Sequence, residues 1–226
     1  MQDTVQTFRD RYRAQVSPRY SAVAHASFIT LFGAGCVAFA LSGLRRFSWP
    51  EALALAAGLL AFNGGVYLVH RWLGHRKTRL GKLFYRRHTG DHHSFFSPQR
   101  MSYEQRRDWR VILFPPWLIV LFAGAFVLPA ALLAAWLTSP DMARLLACGL
   151  IAGYLLYEFF HTCHHLPDGH PLTRLPWLRQ MRRLHQLHHH RGLMGRSNFN
   201  IVLPLTDWVC GTLRWIPERD ASRASR

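Results

Sequence analysis

From Ala26 to Leu44 the chain carries nineteen residues without one charged side chain. At 1.5 Å per residue a helix of that length is about 28 Å long, close to the hydrocarbon thickness of a bilayer. In lipid every backbone N–H and C=O must be satisfied within the segment, so such a run crosses as a helix. Three more apolar runs follow, Ala52–Val69, Val111–Leu137 and a stretch that starts near Leu145 and reaches His161 through Glu158. The short link Arg45-Arg-Phe-Ser-Trp-Pro50 makes the first two runs an antiparallel hairpin. Pro115, Pro116 and Pro129 predict a broken start and a kink in the third, and Thr138-Ser-Pro-Asp141 turns the chain into the fourth. The expected fold is all-α and integral to the membrane, with about four transmembrane helices at 26–44, 52–69, 111–137 and 145–165. A cytoplasmic histidine-rich helical cap is expected over 70–110 and 166–215, all within a single domain, 1–226, without internal repeats.

Half of the residues are hydrophobic and 18% are charged, yet the formal net charge is +16. A basic nucleic-acid binder is excluded because apolar runs of spanning length separate the basic segments. Lys and Arg number 4 in residues 1–25, 11 in 70–110 and 10 in 166–226, whereas the two opposite connections hold only Arg45, Arg46 and Arg144. The positive-inside rule therefore puts both termini and the long middle segment in the cytoplasm. The polar first twenty residues, with Asp3, Asp10 and four arginines, do not read as a signal peptide. A bacterial cytoplasmic membrane is expected over an endoplasmic reticulum, from compactness and the lack of an obvious retention signal. The four cysteines, Cys36, Cys148, Cys163 and Cys210, form neither a disulfide framework nor a Cys-x-x-Cys zinc pattern.

Twelve of the fourteen histidines fall into four groups, His70-x4-His75, His88-x3-His92-His93, His161-x2-His164-His165 and His185-x2-His188-His189-His190. The topology gathers all four on one side of the membrane. At about 100° per residue, His88 and His92 share a helix face, as do His161 and His165, and His185, His188 and His189 lie together within one turn. His70 and His75 are about 140° apart, which suits ligands of different metals or a helix that unwinds between them. Around ten imidazoles exceed the ligands of one first-row ion, so two metals are the natural count. All-nitrogen ligation suits iron, copper, zinc or nickel, and the lack of clustered Asp and Glu argues against a carboxylate-rich di-iron bundle. A redox-active pair with O2 at the lipid boundary can attack an unactivated C–H bond, whereas zinc offers Lewis-acid or water-activating chemistry only.

These residues resemble the membrane fatty acid hydroxylase and sterol desaturase superfamily. The resemblance runs from His70-Arg-Trp-Leu-Gly-His75 through Phe84-Tyr-Arg-Arg-His-Thr-Gly-Asp-His-His-Ser94 and His161-Thr-Cys-His-His165 to His185-Gln-Leu-His-His189. It closes on Asn198-Phe-Asn200, Asp207-Trp208 and Gly211-Thr212. It implies a cytosolic dimetal centre, di-iron when active, that hydroxylates or desaturates lipids with O2 and delivered electrons. The metal ligands it implies are His70, His75, His88, His92, His93, His161, His165, His185, His188 and His189, with His164 and His190 as additional imidazoles.

The expected activity is O2-dependent lipid hydroxylation at two iron ions, which zinc can replace. Rival readings are a desaturase or carotenoid hydroxylase on the same centre, and a non-catalytic membrane metal-binding protein. A separate electron donor, a b-type cytochrome or ferredoxin-like protein, is the implied partner beside the membrane lipid. Glu158 shares a face with His161 and can accept an imidazole N–H or simply mark the interface, while Asp91, Asn198, Asn200 and Asp207 suit capping, turn or histidine-orienting roles. His25 and His170 read as structural or surface residues, and Gly64-Gly65 as a site of close helix packing.

Overall fold

A computed structural model of the chain describes residues 2–215, with side chains from Val5 onward. Met1 and 216–226, part of the expected single domain and of the expected cytoplasmic termini, lie outside the described residues. The described regular structure is helical, apart from an isolated antiparallel bridge between Ser97 and Arg100. The helices are α1 (Gln2–Gln15), α2 (Ala22–Ser42), α3 (Trp49–Leu68), α4 (Lys82–Tyr85), α5 (His93–Phe95), α6 (Trp109–Ile112), α7 (Pro116–Phe122), α8 (Leu128–Leu137), α9 (Pro140–His164), α10 (Pro176–His188) and α11 (Leu205–Val209). π-helical turns at Val69–Gly74, Arg86–His92 and Ala123–Val127 join several of them.

Among the described residues, four helical stretches are long and apolar enough to cross a membrane: Ala22–Ser42, Trp49–Gly74, Arg106–Leu137 and Pro140–His164. Each has at least one end beyond the apolar run that marks it in the sequence, because capping groups and prolines, rather than hydropathy, set helix ends. Ser21 starts α2 by accepting the Ala24 N–H, and Pro140 opens α9 where a helix has no use for its missing donor.

The chain forms two compact units. One comprises Arg19–Gly65 and Leu113–Phe159. Its core is narrow, built on Ala54, Leu145 and Cys148, while Leu31, Phe39, Leu53, Phe126 and Trp136 lie exposed, as lipid-facing side chains do. Gly58 of α3 and Gly149 of α9 let the two backbones touch: a Cβ on either would run into a carbonyl oxygen of the other helix and lie 3.0 Å from the opposing glycine Cα. Gly64 and Gly65, expected to serve this purpose, have open space where a Cβ would go, so the close crossing belongs to Gly58 and Gly149. Residues 113–115 break the helix ahead of Pro116, and the buried Glu158 carboxylate accepts the Phe114 N–H that the break releases, at 3.1 Å. His25 bridges the Tyr20 hydroxyl and the Phe114 carbonyl, a structural role.

The second unit comprises Met1–Pro18, Val66–Ile112 and the chain from Phe160 onward. Its apolar cores are small: Phe95, Phe96, Val111 and Ile112 form one, packed by Phe8 and Tyr12 of α1, and Cys163, Leu166 and Leu178 form the other. The same interior holds a large group of buried imidazoles, beside Met181, Leu184, Phe199 and Ile201.

Candidate metal centre

All four histidine groups meet in the second unit and sort into two clusters. His70, His75, His88, His93 and His188 form the first, and His92, His165, His185 and His189 form the second; within each, one ring nitrogen per residue lies within 4.8 Å of the others. His161 joins the second cluster through its Nε2, 3.3 Å from that of His92. All ten expected residues are thus brought together; His161 with His165 and His185 with His189 keep the pairing that the helical angles suggested, and the others do not.

His88 and His92 do not share a cluster, and His188 parts from His185 and His189. The cause is the backbone. A π turn closes its hydrogen bond from i to i+5, so residues five apart come onto one face. The turn Val69–Gly74 aligns His70 with His75, ring centroids 5.1 Å apart, and the turn Arg86–His92 aligns His88 with His93, 4.7 Å apart. The second cluster keeps α-helical spacing, with His161 and His165 from the end of α9 and His185 and His189 from α10. His92 crosses to it from the π turn and His188 crosses from α10 to the first.

Hydrogen bonds fix which nitrogen six of the ten rings present. His70 Nδ1 donates to the Phe199 carbonyl at 2.5 Å, His92 to Val111 at 3.1 Å, His165 to Met101 at 2.7 Å, His188 to Ser197 at 2.8 Å and His189 to Phe96 at 3.0 Å. A carbonyl only accepts, so Nδ1 carries the proton and Nε2 keeps a lone pair. His75 reaches the same state through Thr89, whose hydroxyl donates to the Gly74 carbonyl and accepts from His75 Nδ1 at 3.1 Å. The lone pairs then face each other: Nε2 of His75 and His188 lie 3.0 Å apart, and those of His92 and His189 lie 3.2 Å apart.

No proton relieves this repulsion. Burial first, and the neighbouring imidazoles second, push His88, His92, His93, His165, His185, His188 and His189 well below the ordinary histidine range, and bring His75 down to about 2. Converging neutral imidazole nitrogens held by backbone acceptors are the donor set of a first-row metal, so the residues fit two such ions.

Residues outside the histidine motifs supply this order. Asp207 is fully buried and accepts from the backbone N–H groups of Phe199 and Asn200 and from the Thr212 hydroxyl. Asn198 adopts φ 59° and ties Leu184 and Arg214 together through its amide. These bonds hold the Phe199 carbonyl against His70. The orienting role open to Asn198, Asn200 and Asp207 is therefore exerted through the backbone. Asp91 lies among Arg86, Arg87 and Arg110. His164 is buried against the His185 ring at 5.2 Å, and His170 accepts the Leu172 N–H as a cap. Thr89 and the carbonyls of Phe96, Met101, Val111, Ser197 and Phe199 left no mark in the sequence, since any residue carries a carbonyl and Thr89 is distinguished only by its place inside the second histidine group.

The clusters differ in access. The second is buried at all five positions, whereas His75, His88 and His93 of the first are half-buried. A cavity of about 380 Å³ lined by His75, Arg191, Gly192, Met194, Gly195 and Arg196 opens beside it.

A model of the fatty acid hydroxylase family matches residues 55–212, which contain every histidine of both clusters. The chain is also 27% identical over 182 residues to a dihydroceramide fatty acyl 2-hydroxylase of Arabidopsis thaliana, covering 79% of this chain and 68% of that one. No solved structure matches it.

Proposed function

The chain belongs to the fatty acid hydroxylase family, and from that premise we propose that it is an O2-dependent di-iron enzyme that hydroxylates a C–H bond of a membrane lipid. The observation that carries this reading is the pair of clusters in which Nε2 lone pairs converge while Nδ1 protons are held by backbone carbonyls. We assign His70, His75, His88, His93 and His188 to one metal and His92, His161, His165, His185 and His189 to the other. Iron bound there would supply activation of O2 for C–H oxidation.

The chain's own residues do the rest. Thr89 and the five carbonyls hold six of the imidazoles in one tautomer, and burial keeps the rings unprotonated at neutral pH. Hydroxylation consumes one O2, two electrons and two protons and forms the alcohol and one water, so an external donor is required. The half-buried first cluster and the Arg191 and Arg196 cavity beside His75 support reduction from the aqueous side by a separate acidic electron-transfer protein. A fatty acyl chain is the favoured substrate, on the description of the family and of the plant relative. The positive-inside charge pattern supports a cytoplasmic face for both clusters. The whole chain acts as one hydroxylase domain in this reading.

Elemental analysis of protein purified without oxygen tests it. About two irons per chain are expected; an intact, folded protein that binds no transition metal would overturn the dimetal reading.

A further inference from the structure

Arg9 is 1% exposed although it lies on α1, well outside the family match that starts at residue 55. A buried guanidinium is stable only when its donors are used, and here each acceptor is specific. Nε donates to the Phe95 carbonyl at 2.9 Å, Nη2 to the carbonyls of Arg100 at 2.9 Å and Ser102 at 3.3 Å, and Nη1 to the Glu104 carboxylate at 2.6 Å. The guanidinium carbon also stands 4.9 Å from the Phe95 ring centroid and 5.5 Å from that of Phe96.

Those carbonyls flank two of the three that orient the second cluster, Phe96 and Met101; the third, Val111, lies outside the grip. Phe95 precedes Phe96, whose carbonyl accepts from His189 Nδ1 and whose ring stacks on His165 at 4.0 Å. Arg100 and Ser102 bracket Met101, whose carbonyl accepts from His165 Nδ1 at 2.7 Å. One planar, rigid fork thus grips the loop on either side of both acceptors, and each gripped carbonyl is one residue along the backbone from a carbonyl that holds an imidazole. The grip does not extend to the first cluster, whose Nδ1 partners are Phe199, Ser197 and Thr89.

We propose that Arg9 is a positioning residue for the second metal cluster, and that α1 is a clamp which sets the geometry of His165 and His189. The inference rests on the dimetal reading above. Arg13 provides the control: it docks the same helix through Asp108 and Glu104 at 2.7–2.9 Å but grips none of the loop carbonyls.

The test is a Co2+ titration of the metal-free full chain in detergent, comparing wild type, Arg9→Gln, Arg9→Lys and Arg13→Gln, with helical content and melting temperature measured in parallel. Wild type should bind two ions. Arg9→Gln and Arg9→Lys should weaken one site by about 10–100-fold, the usual effect of removing an outer partner of a ligand, and leave the other unchanged. Lysine keeps the charge but lacks the fork, so it should not rescue the weakened site. Arg13→Gln should leave both sites at wild-type affinity. Two wild-type sites in both folded Arg9 variants would overturn the proposal, and so would an equal loss at both sites in the Arg9 and Arg13 variants alike. A wild type that binds no ion would instead overturn the dimetal reading itself.

Discussion

His188 and His189 are neighbours in the chain yet serve opposite clusters, with ring centroids 6.2 Å apart and ring planes crossing at 88°. His188 closes the last turn of α10 and turns its Nδ1 to Ser197, while His189 is the C-cap and turns its Nδ1 to Phe96. One dipeptide therefore completes both clusters, so in the dimetal reading the two sites are separable by single substitutions. His188→Ala should lower iron from about two per chain to about one and abolish turnover while membrane insertion persists, and His189→Ala should do the same through the other site. Loss of both metals in either variant, or full activity, would contradict the assignment; elemental analysis and a product assay decide it.

Acid should release the metals and destabilise the apoprotein. The folded-state pKa values of His75, His88, His92, His93, His165, His185, His188 and His189 lie below the unfolded value near 6.5. As pH falls below that value the unfolded chain binds protons that the native chain does not, so stability rises with pH and is lost downward from about 6.5. Melting temperatures of the metal-free protein should drop steeply between about pH 6.5 and 5. A flat profile there would mean that the rings are solvated.

The loop behind His70 can be loosened without touching a histidine. Asp207→Ala removes the acceptor of two buried backbone N–H groups and the Thr212 hydroxyl, and should cost at least about 1–3 kcal/mol of stability. Metal should be lost first from the first cluster, since the Phe199 carbonyl that orients His70 moves with the loop. Thermal denaturation and metal titration of the variant check both effects.

Two glycine substitutions separate crossing from open surface. Gly149→Val places its branched side chain against the backbone of Leu55 and Gly58 and should destabilise by at least about 1–3 kcal/mol. Gly64→Ala, where nothing lies within 4 Å, should be neutral or stabilising by up to about 1 kcal/mol, because alanine costs less backbone entropy in a helix. Melting temperatures in detergent give the order.

The four spanning helices were legible in the sequence because lipid solvation acts on composition over long windows, and Ala26–Leu44 leaves no other choice. The ten clustered histidines were legible as a set, and their family resemblance is matched by the fatty acid hydroxylase assignment. Their partition was legible only where the α-helix persists, at His161 with His165 and His185 with His189. Counting 100° per residue pairs His88 with His92, whereas the π turn pairs His88 with His93 and returns His70 to His75. A π turn has no strong residue signature, so its effect on facing cannot be read from spacing alone. Likewise, Gly58 and Gly149 look no different from Gly64 until the opposing helix is placed, and Arg9 looks like any other basic residue of a polar N-terminal helix until its acceptors are seen.

The most direct test of the account supplies isotopically heavy O2 and a reducing system to membranes containing the protein, and then follows the membrane lipids by mass spectrometry. The account predicts a lipid hydroxyl carrying one heavy oxygen, formed with wild type and absent with His188→Ala. A lipid that loses two hydrogens and gains no oxygen, or an unchanged lipid pool from iron-loaded protein given a full range of fatty acyl substrates and a working donor, would contradict it.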